Sequence, residues 1–202
     1  MITKQLLIQN FEKELFDSPF WKDFLFRREE LRNKNIKSGS LSKFELKVLY
    51  NIIRNTKPET VIETGVRFGG SSAVILQALK MNSYGELISI DHYYNQNKYF
   101  GFYVNESIRN RWTIFIGKTI DVLPTIKRDC DIFIHDSAHT YKNMYFEYNW
   151  AKEHLTEDGL LMSHDIYYSD AWEEFVNENK FAYSNLGPIP RIGIIFIGEE
   201  KK

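Results

Sequence analysis

Val61-Ile62-Glu63-Thr64-Gly65-Val66-Arg67-Phe68-Gly69-Gly70-Ser71-Ser72 is the stretch that decides the fold. A short β-branched run ends in an acid, a glycine cluster follows, and an apolar helical pattern continues through Val74, Ile75, Leu76, Ala78 and Leu79. That order reads as strand, tight turn, helix. Glycines let the backbone bend sharply and let a ligand approach main-chain N–H groups, and the helix start adds partial positive charge. A dinucleotide site asks for G-x-G-x-x-G. The spacing here is E-x-G-x-x-x-G-G, with a carboxylate that repels a pyrophosphate and accepts hydrogen bonds from an amino-bearing ligand.

Outward from this turn, strands and helices alternate. Strands are expected at Thr60–Glu63, Leu87–Asp91, Trp112–Ile116, Asp131–His135 and Leu160–Ser163. Helical stretches are expected near Tyr99–Arg109, Ile120–Ile126, Tyr141–His154 and Asp170–Asn179, with a turn at Thr156–Gly159. The last two strands, Phe181–Leu186 and Ile192–Ile197, are joined by Gly187-Pro188-Ile189-Pro190, too short for a helical crossover, so they pair antiparallel. The pattern implies an α/β fold with a doubly wound, mostly parallel sheet. Residues 1–57 precede it as a helical extension, with Ser18-Pro19 as one helix start and a capping box at Ser42-Lys43-Phe44-Glu45 as another. Residues 58–202 form the ligand-binding unit of what is expected to be one structural domain.

Composition narrows the function. The chain has 202 residues, a formal net charge of −1 and 43% hydrophobic residues, which gives no basic face for nucleic acid. No apolar run is long enough to cross a bilayer, and no signal-peptide core is visible, so a cytoplasmic protein without membrane partners is expected. The single Cys130 leaves no disulfide framework or cysteine-cluster metal site.

In a doubly wound sheet, ligands sit outside the carboxyl ends of the strands. This chain carries polar groups there: Glu63, Asp91, His135 with Asp136, and His164 with Asp165. Asp91 can accept from two vicinal ribose hydroxyls. His92 and Tyr93 could flank a base. His135, close to the sheet, is read as a core histidine bonded to backbone. Tyr93, Tyr94, Tyr99, Tyr103, Tyr167 and Tyr168 follow strand ends and either line an acceptor pocket or pack loops onto the core.

Taken with the glycine turn, the chain resembles the class I S-adenosylmethionine (SAM) dependent methyltransferases. The resemblance implies a seven-stranded Rossmann-like sheet with an antiparallel C-terminal hairpin. It implies SAM as cofactor, held by Glu63, Gly65, Gly69, Ser71, Ser72, Asp91, His92 and Asp136. After strand three, many of these enzymes place an acid or small polar residue against adenine. This chain has Gly117-Lys118-Thr119, and Lys118 is set aside as a departure.

His135-Asp136-Ser137-Ala138-His139-Thr140-Tyr141 and Gly159-Leu160-Leu161-Met162-Ser163-His164-Asp165 resemble a subgroup of small-molecule and sugar O-methyltransferases and cephalosporin-hydroxylase-like proteins, over roughly residues 58–170. The implied activity is methyl transfer to a hydroxyl of a small molecule or glycan precursor. Asp136, His164 and Asp165 match the positions that hold a divalent metal, Mg²⁺ or Mn²⁺, and His139 and Asp136 the catalytic positions. Ala138 replaces a second acid, and His164 shifts preference away from Mg²⁺. A metal-free enzyme with His139 or His164 as general base stays open, as do a different reaction on the same fold and a non-catalytic SAM-fold binding protein. A homo-oligomer is compatible with all of these.

Overall fold

The structure, a computed structural model, describes residues 9–37, 41–92, 98–187 and 191–200. Tyr93 and Tyr94 lie outside the described residues. The chain opens with α1 (Glu12–Phe16), α2 (Pro19–Asn33) and α3 (Lys43–Thr56). Both expected helix starts are present. Ser18 accepts from the Trp21 amide at 3.1 Å ahead of Pro19. Ser42 and Glu45 form the reciprocal capping box that satisfies two orphan donors of α3.

Seven strands follow: β1 (Thr60–Thr64), β2 (Glu86–Asp91), β3 (Trp112–Ile116), β4 (Cys130–His135), β5 (Leu155–His164), β6 (Phe181–Leu186) and β7 (Ile192–Glu200). Their order is β3-β2-β1-β4-β5-β7-β6. The first five are parallel, and β7 runs antiparallel between β5 and β6. Helices α4 (Gly70–Asn82), α5 (Thr119–Val122), α6 (Tyr141–His154) and α7 (Ala171–Glu178) complete the layers. After β3 the chain returns to the far side of β1, so the strand order reverses between β1 and β4. A crevice opens at such a switch point.

The period-2 alternation of the strands assigns residues to two cores. Val61, Ile132, Ile134, Leu160 and Met162 pack under α1–α4, with Leu15, Phe24, Leu46, Leu49 and Leu76. Ile62, Phe133, Leu161 and Ile195 face α6 and α7, with Met144, Tyr148, Trp172 and Phe175. The N-terminal helices therefore share one hydrophobic core with the sheet. Among the described residues, no helix is long and apolar enough to cross a membrane.

Two expectations are corrected. Tyr99–Arg109 is not a helix: turns lead to a 3₁₀ segment at Glu106–Arg111, started by Asn105, whose side chain accepts from the Ser107 amide at 3.1 Å. Thr156–Gly159 is not a turn. It is the first part of β5, which already pairs with β4 at Cys130↔Leu155 before a register shift. Of the two readings open for Tyr103, core packing holds: it is 1% exposed and stacks on Phe24 at 4.4 Å.

The hairpin depends on one close approach. A Cβ on Gly193 of β7 would stand 2.2 Å from the ring of buried Trp172, whose indole N–H donates to Asn185 on β6 at 3.1 Å. Gly193→Ala should therefore force the indole out of its slot and cost about 1–3 kcal/mol, the usual range for overpacking a filled core. Urea unfolding reads this as a lowered midpoint; an unchanged midpoint would show that Trp172 has room to move.

Candidate active site at the strand ends

The cavity over the switch point has a volume of about 910 Å³. That lies at the upper end of the range for small-molecule sites. Its walls come mainly from the glycine turn and start of α4 (Gly65 to Phe68, Gly70, Ser71), the end of β2 (Asp91, His92), the segment after β3 (Gly117 to Ile120), and the ends of β4 and β5 (Asp136 to His139, His164, Asp165), with Leu41, Asn143 and Arg191 at the margins.

Gly65 shapes the floor. It has φ +89°, and a Cβ there would stand 2.1 Å from the Asp136 carbonyl oxygen. The turn after β1 and the turn after β4 thus touch, and the Asp136 amide donates to the Thr64 carbonyl at 2.9 Å. Asp91 ties in the second wall: its Oδ2 accepts from the Val66 and Arg67 amides at 2.8 and 2.9 Å. Lys118, set aside on sequence, lines the cavity with Thr119, as does His92.

Glu63, Gly69 and Ser72 stand behind the wall rather than in it. Glu63 is fully buried and accepts from three hydroxyls, those of Ser71, of Ser72 at 2.6 Å and of Ser89 at 2.8 Å. Its carboxyl clamps the first turn of α4 to β1 and β2. Burial raises its pKa to about 7 although the three serines pull the other way.

A second buried carboxylate, Glu147 of α6, supports the opposite face. Its two oxygens take His135 Nδ1 at 2.6 Å, Thr64 Oγ1 at 2.6 Å, Ser137 Oγ at 2.7 Å and Asn143 Nδ2 at 2.8 Å. Burial works against its charge, yet the His135 imidazole and these donors hold its pKa below the usual value. The expected backbone partner for His135 is thus replaced by an acid 12 positions on: Glu147 sits on the helix that follows β4, facing back onto it.

The chemical end of the cavity holds His139, His164 and Asp136. One ligand atom from each lies within 4.8 Å of the others, the one such group of three among the described residues. His164 Nδ1 is 3.0 Å from Asp136 Oδ1, and His164 Nε2 is 3.2 Å from Glu45 Oε1. Burial disfavours a charged His164, but these two carboxylates outweigh it and lift its pKa to about 10. His139 Nε2 lies 3.7 Å from Asp136 Oδ1 and is buried without a hydrogen-bond partner. Burial, helped by the charge of His135, lowers the pKa of His139. One histidine is therefore held as imidazolium and its neighbour as neutral imidazole.

Asp165, expected with the metal ligands, is not one of these three, although its Oδ2 lies 3.5 Å from His164 Nδ1. Its Oδ1 accepts from Arg191 Nε and Nη2 at 2.8 and 2.6 Å, and its φ is +51°. Sequence reasoning missed Arg191 and Glu45. Glu45 was visible only as a helix cap, and Arg191 gave no signal.

This sheet order, glycine turn and cavity define a Rossmann-like methyltransferase fold. A family model described as a methyltransferase domain matches residues 62–166, just over half of the chain. The chain belongs to that family of class I SAM-dependent methyltransferases. Among solved structures, an O-methyltransferase from Bacillus cereus in complex with SAH superposes with a TM-score of 0.73 at 12% identity, covering 97% of this chain and 100% of that one. A putative caffeoyl-CoA O-methyltransferase from Staphylococcus aureus gives 0.71 at 14%, covering 97% and 99%. The O-methyltransferase TomG from Streptomyces achromogenes in complex with SAM gives 0.70 at 14%, covering 86% and 88%. At these identities the likeness is one of fold. No curated protein matches the chain in sequence.

Glu63 yields a test of the clamp. Its folded pKa of about 7 exceeds the ordinary carboxyl value of 4.5, so the fold binds this proton more tightly than the unfolded chain does. Its stabilising share is complete below the lower value and is lost as pH rises through the higher one. Between about pH 5 and about pH 8, wild type should lose on the order of 3 kcal/mol more stability than Glu63→Gln. Parallel slopes of unfolding free energy against pH would contradict the burial argument.

Proposed function

We propose that this protein transfers the methyl group of SAM to a hydroxyl of a small molecule or glycan precursor. The observation that carries the reading is a single cavity with the glycine turn and Asp91 at one end and Asp136, His139 and His164 at the other. The residues fit the cofactor: Gly70 and Ser71 open α4 onto the cavity, and Asp91 is a carboxylate at the end of the neighbouring strand. The Bacillus and Streptomyces enzymes, in complex with SAH and SAM respectively, support the same choice.

Bound SAM supplies an electrophilic methyl on a cationic sulfur. The amides at the start of α4 suit the carboxylate of its amino-acid end, and Asp91 accepts from ribose hydroxyls beside the two amides it already holds. At the other end, His139 Nε2 is a buried, neutral acceptor that takes the proton of the attacking hydroxyl. Asp136, 3.7 Å away, stabilises the imidazolium that forms. His164, charged and bonded to Asp136, fixes that carboxylate in place.

A second reading has its own observation, the three converging donors. A carboxylate with two imidazoles suits Mn²⁺ better than Mg²⁺. Such an ion would polarise the acceptor hydroxyl, and His164 would first have to give up its proton.

SAH release, followed over a panel of phenols, catechols and sugars, tests both. His139→Ala should lower turnover by about 10²–10⁴-fold, the share of a general base. SAH affinity by calorimetry should stay within about tenfold, or roughly 1.4 kcal/mol. Chelator should leave the rate unchanged if His139 works alone and remove it if an ion is required. Asp91→Ala should instead weaken SAH binding by roughly 1.5–3 kcal/mol, the scale of hydrogen bonds to a charged group. Full turnover in His139→Ala with chelator present would sink the base assignment, and SAM binding with no turnover on any acceptor would sink the reaction.

A further inference from the structure

One buried carboxylate has no part in the chemistry above. Glu45 sits in the first turn of α3, outside the matched family region, and is 4% exposed. A capping-box acid needs only to reach back to its own N-cap amide, and Glu45 Oε2 does so, accepting from Ser42 N–H at 2.5 Å. Its second oxygen does something else. Oε1 lies 3.2 Å from His164 Nε2, across 119 positions of sequence, and 3.8 Å from Arg191 Nε.

The strand pattern explains how they meet. His164 falls on the same face of β5 as Leu160 and Met162, which is the face that α1–α4 cover. The N-terminal helices thus bring an acid to the one ring whose other nitrogen faces Asp136.

We propose that Glu45 is a positioning residue of the site, holding the His164 imidazole so that Nδ1 faces Asp136 and the cavity. The proposal rests on the reading that Asp136, His139 and His164 form the acceptor end. A histidine ring has a broad, two-fold preference about its outer torsion. Turning it over replaces both nitrogens by carbons at these positions and loses the contacts to Asp136 and Glu45 together. Clamping at both nitrogens therefore selects one orientation, as an outer carboxylate does for a histidine that must present its other nitrogen. Arg191 is hydrogen-bonded to Asp165 and lies 3.8 Å from Glu45 Oε1, so the imidazole is the nearer partner of that oxygen.

The competing explanation is that Glu45 only caps α3. Three variants separate the two: Glu45→Ala, Glu45→Gln, which keeps an acceptor oxygen, and Ser42→Ala, which removes the hydroxyl half of the cap and leaves Glu45 in place. Each is labelled with ¹⁵N, and the ring nitrogens of His164 are read by long-range proton–nitrogen correlation, assigned by their loss in His164→Asn. Thermal midpoint and SAH affinity are measured alongside. We expect Glu45→Ala to move both His164 nitrogens away from their wild-type positions while SAH affinity changes less than about threefold. Glu45→Gln should restore most of the wild-type pattern. Ser42→Ala should lower the midpoint without moving the His164 signals. Where an acceptor has been found, kcat should fall in Glu45→Ala with KM for SAM unchanged. His164 nitrogens that stay put in both Glu45 variants, or that move equally in Ser42→Ala, would overturn the proposal. If Glu45→Ala does not fold, Glu45→Asp takes its place: one methylene shorter, it should move the His164 signals where Glu45→Gln does not, and signals that stay put in it would overturn the proposal. Wild-type protein that binds no SAH would count against the proposed function, while the His164 signals would still report on Glu45.

Discussion

The site depends on the contact between two strand ends at the switch point. Asp136 can stand beside the cofactor turn only because Gly65 has no side chain: its Cβ would occupy the place of the Asp136 carbonyl. The left-handed φ of Gly65 then turns the chain so that α4 starts over the cavity. One backbone approach thus places a helix N-terminus and a carboxylate on the two sides of a single opening.

Two fully buried acids brace that opening from behind, one on each face of the sheet. Glu63 binds three serine hydroxyls on the α4 side, and Glu147 binds His135, Thr64, Ser137 and Asn143 on the α6 side. Their electrostatics differ for a physical reason. Glu63 has only neutral donors and burial prevails, so its pKa rises; Glu147 has an imidazole in contact, so its charge is favoured. A buried carboxylate that keeps several donors is costly to disturb. This arrangement makes the strand ends a rigid platform, which positioning of a donor and an acceptor for group transfer requires.

Much of this was legible in the sequence, and the reasons for the gaps are specific. The β-branched runs and the glycine spacing fix the strands and the turn, because period-2 burial and left-handed turns leave strong local signatures. The capping box at Ser42–Glu45 was readable for the same reason. What Glu45 does with its second oxygen was not, since it needs α3 and β5 in contact across 119 residues. The place of Asp165 after β5 points to the site, but its pairing with Arg191, which stands just ahead of the antiparallel strand β7 and takes one carboxylate oxygen, has no local signal. Thr156–Gly159 carries turn residues and still forms strand, because Leu155 pairs with Cys130 and ties the segment to β4. Local composition speaks for itself; partners contributed by distant elements do not.

The central claim is the proposed one, that SAM lies in this cavity with its ribose at Asp91 and its sulfur toward Asp136, His139 and His164. A crystal structure of the protein with SAH tests it most directly. The account predicts density for SAH in this cavity, with a ribose hydroxyl donating to Asp91 and the sulfur at the histidine end. SAH bound elsewhere, reversed in the cavity, or absent at saturating concentration would contradict it.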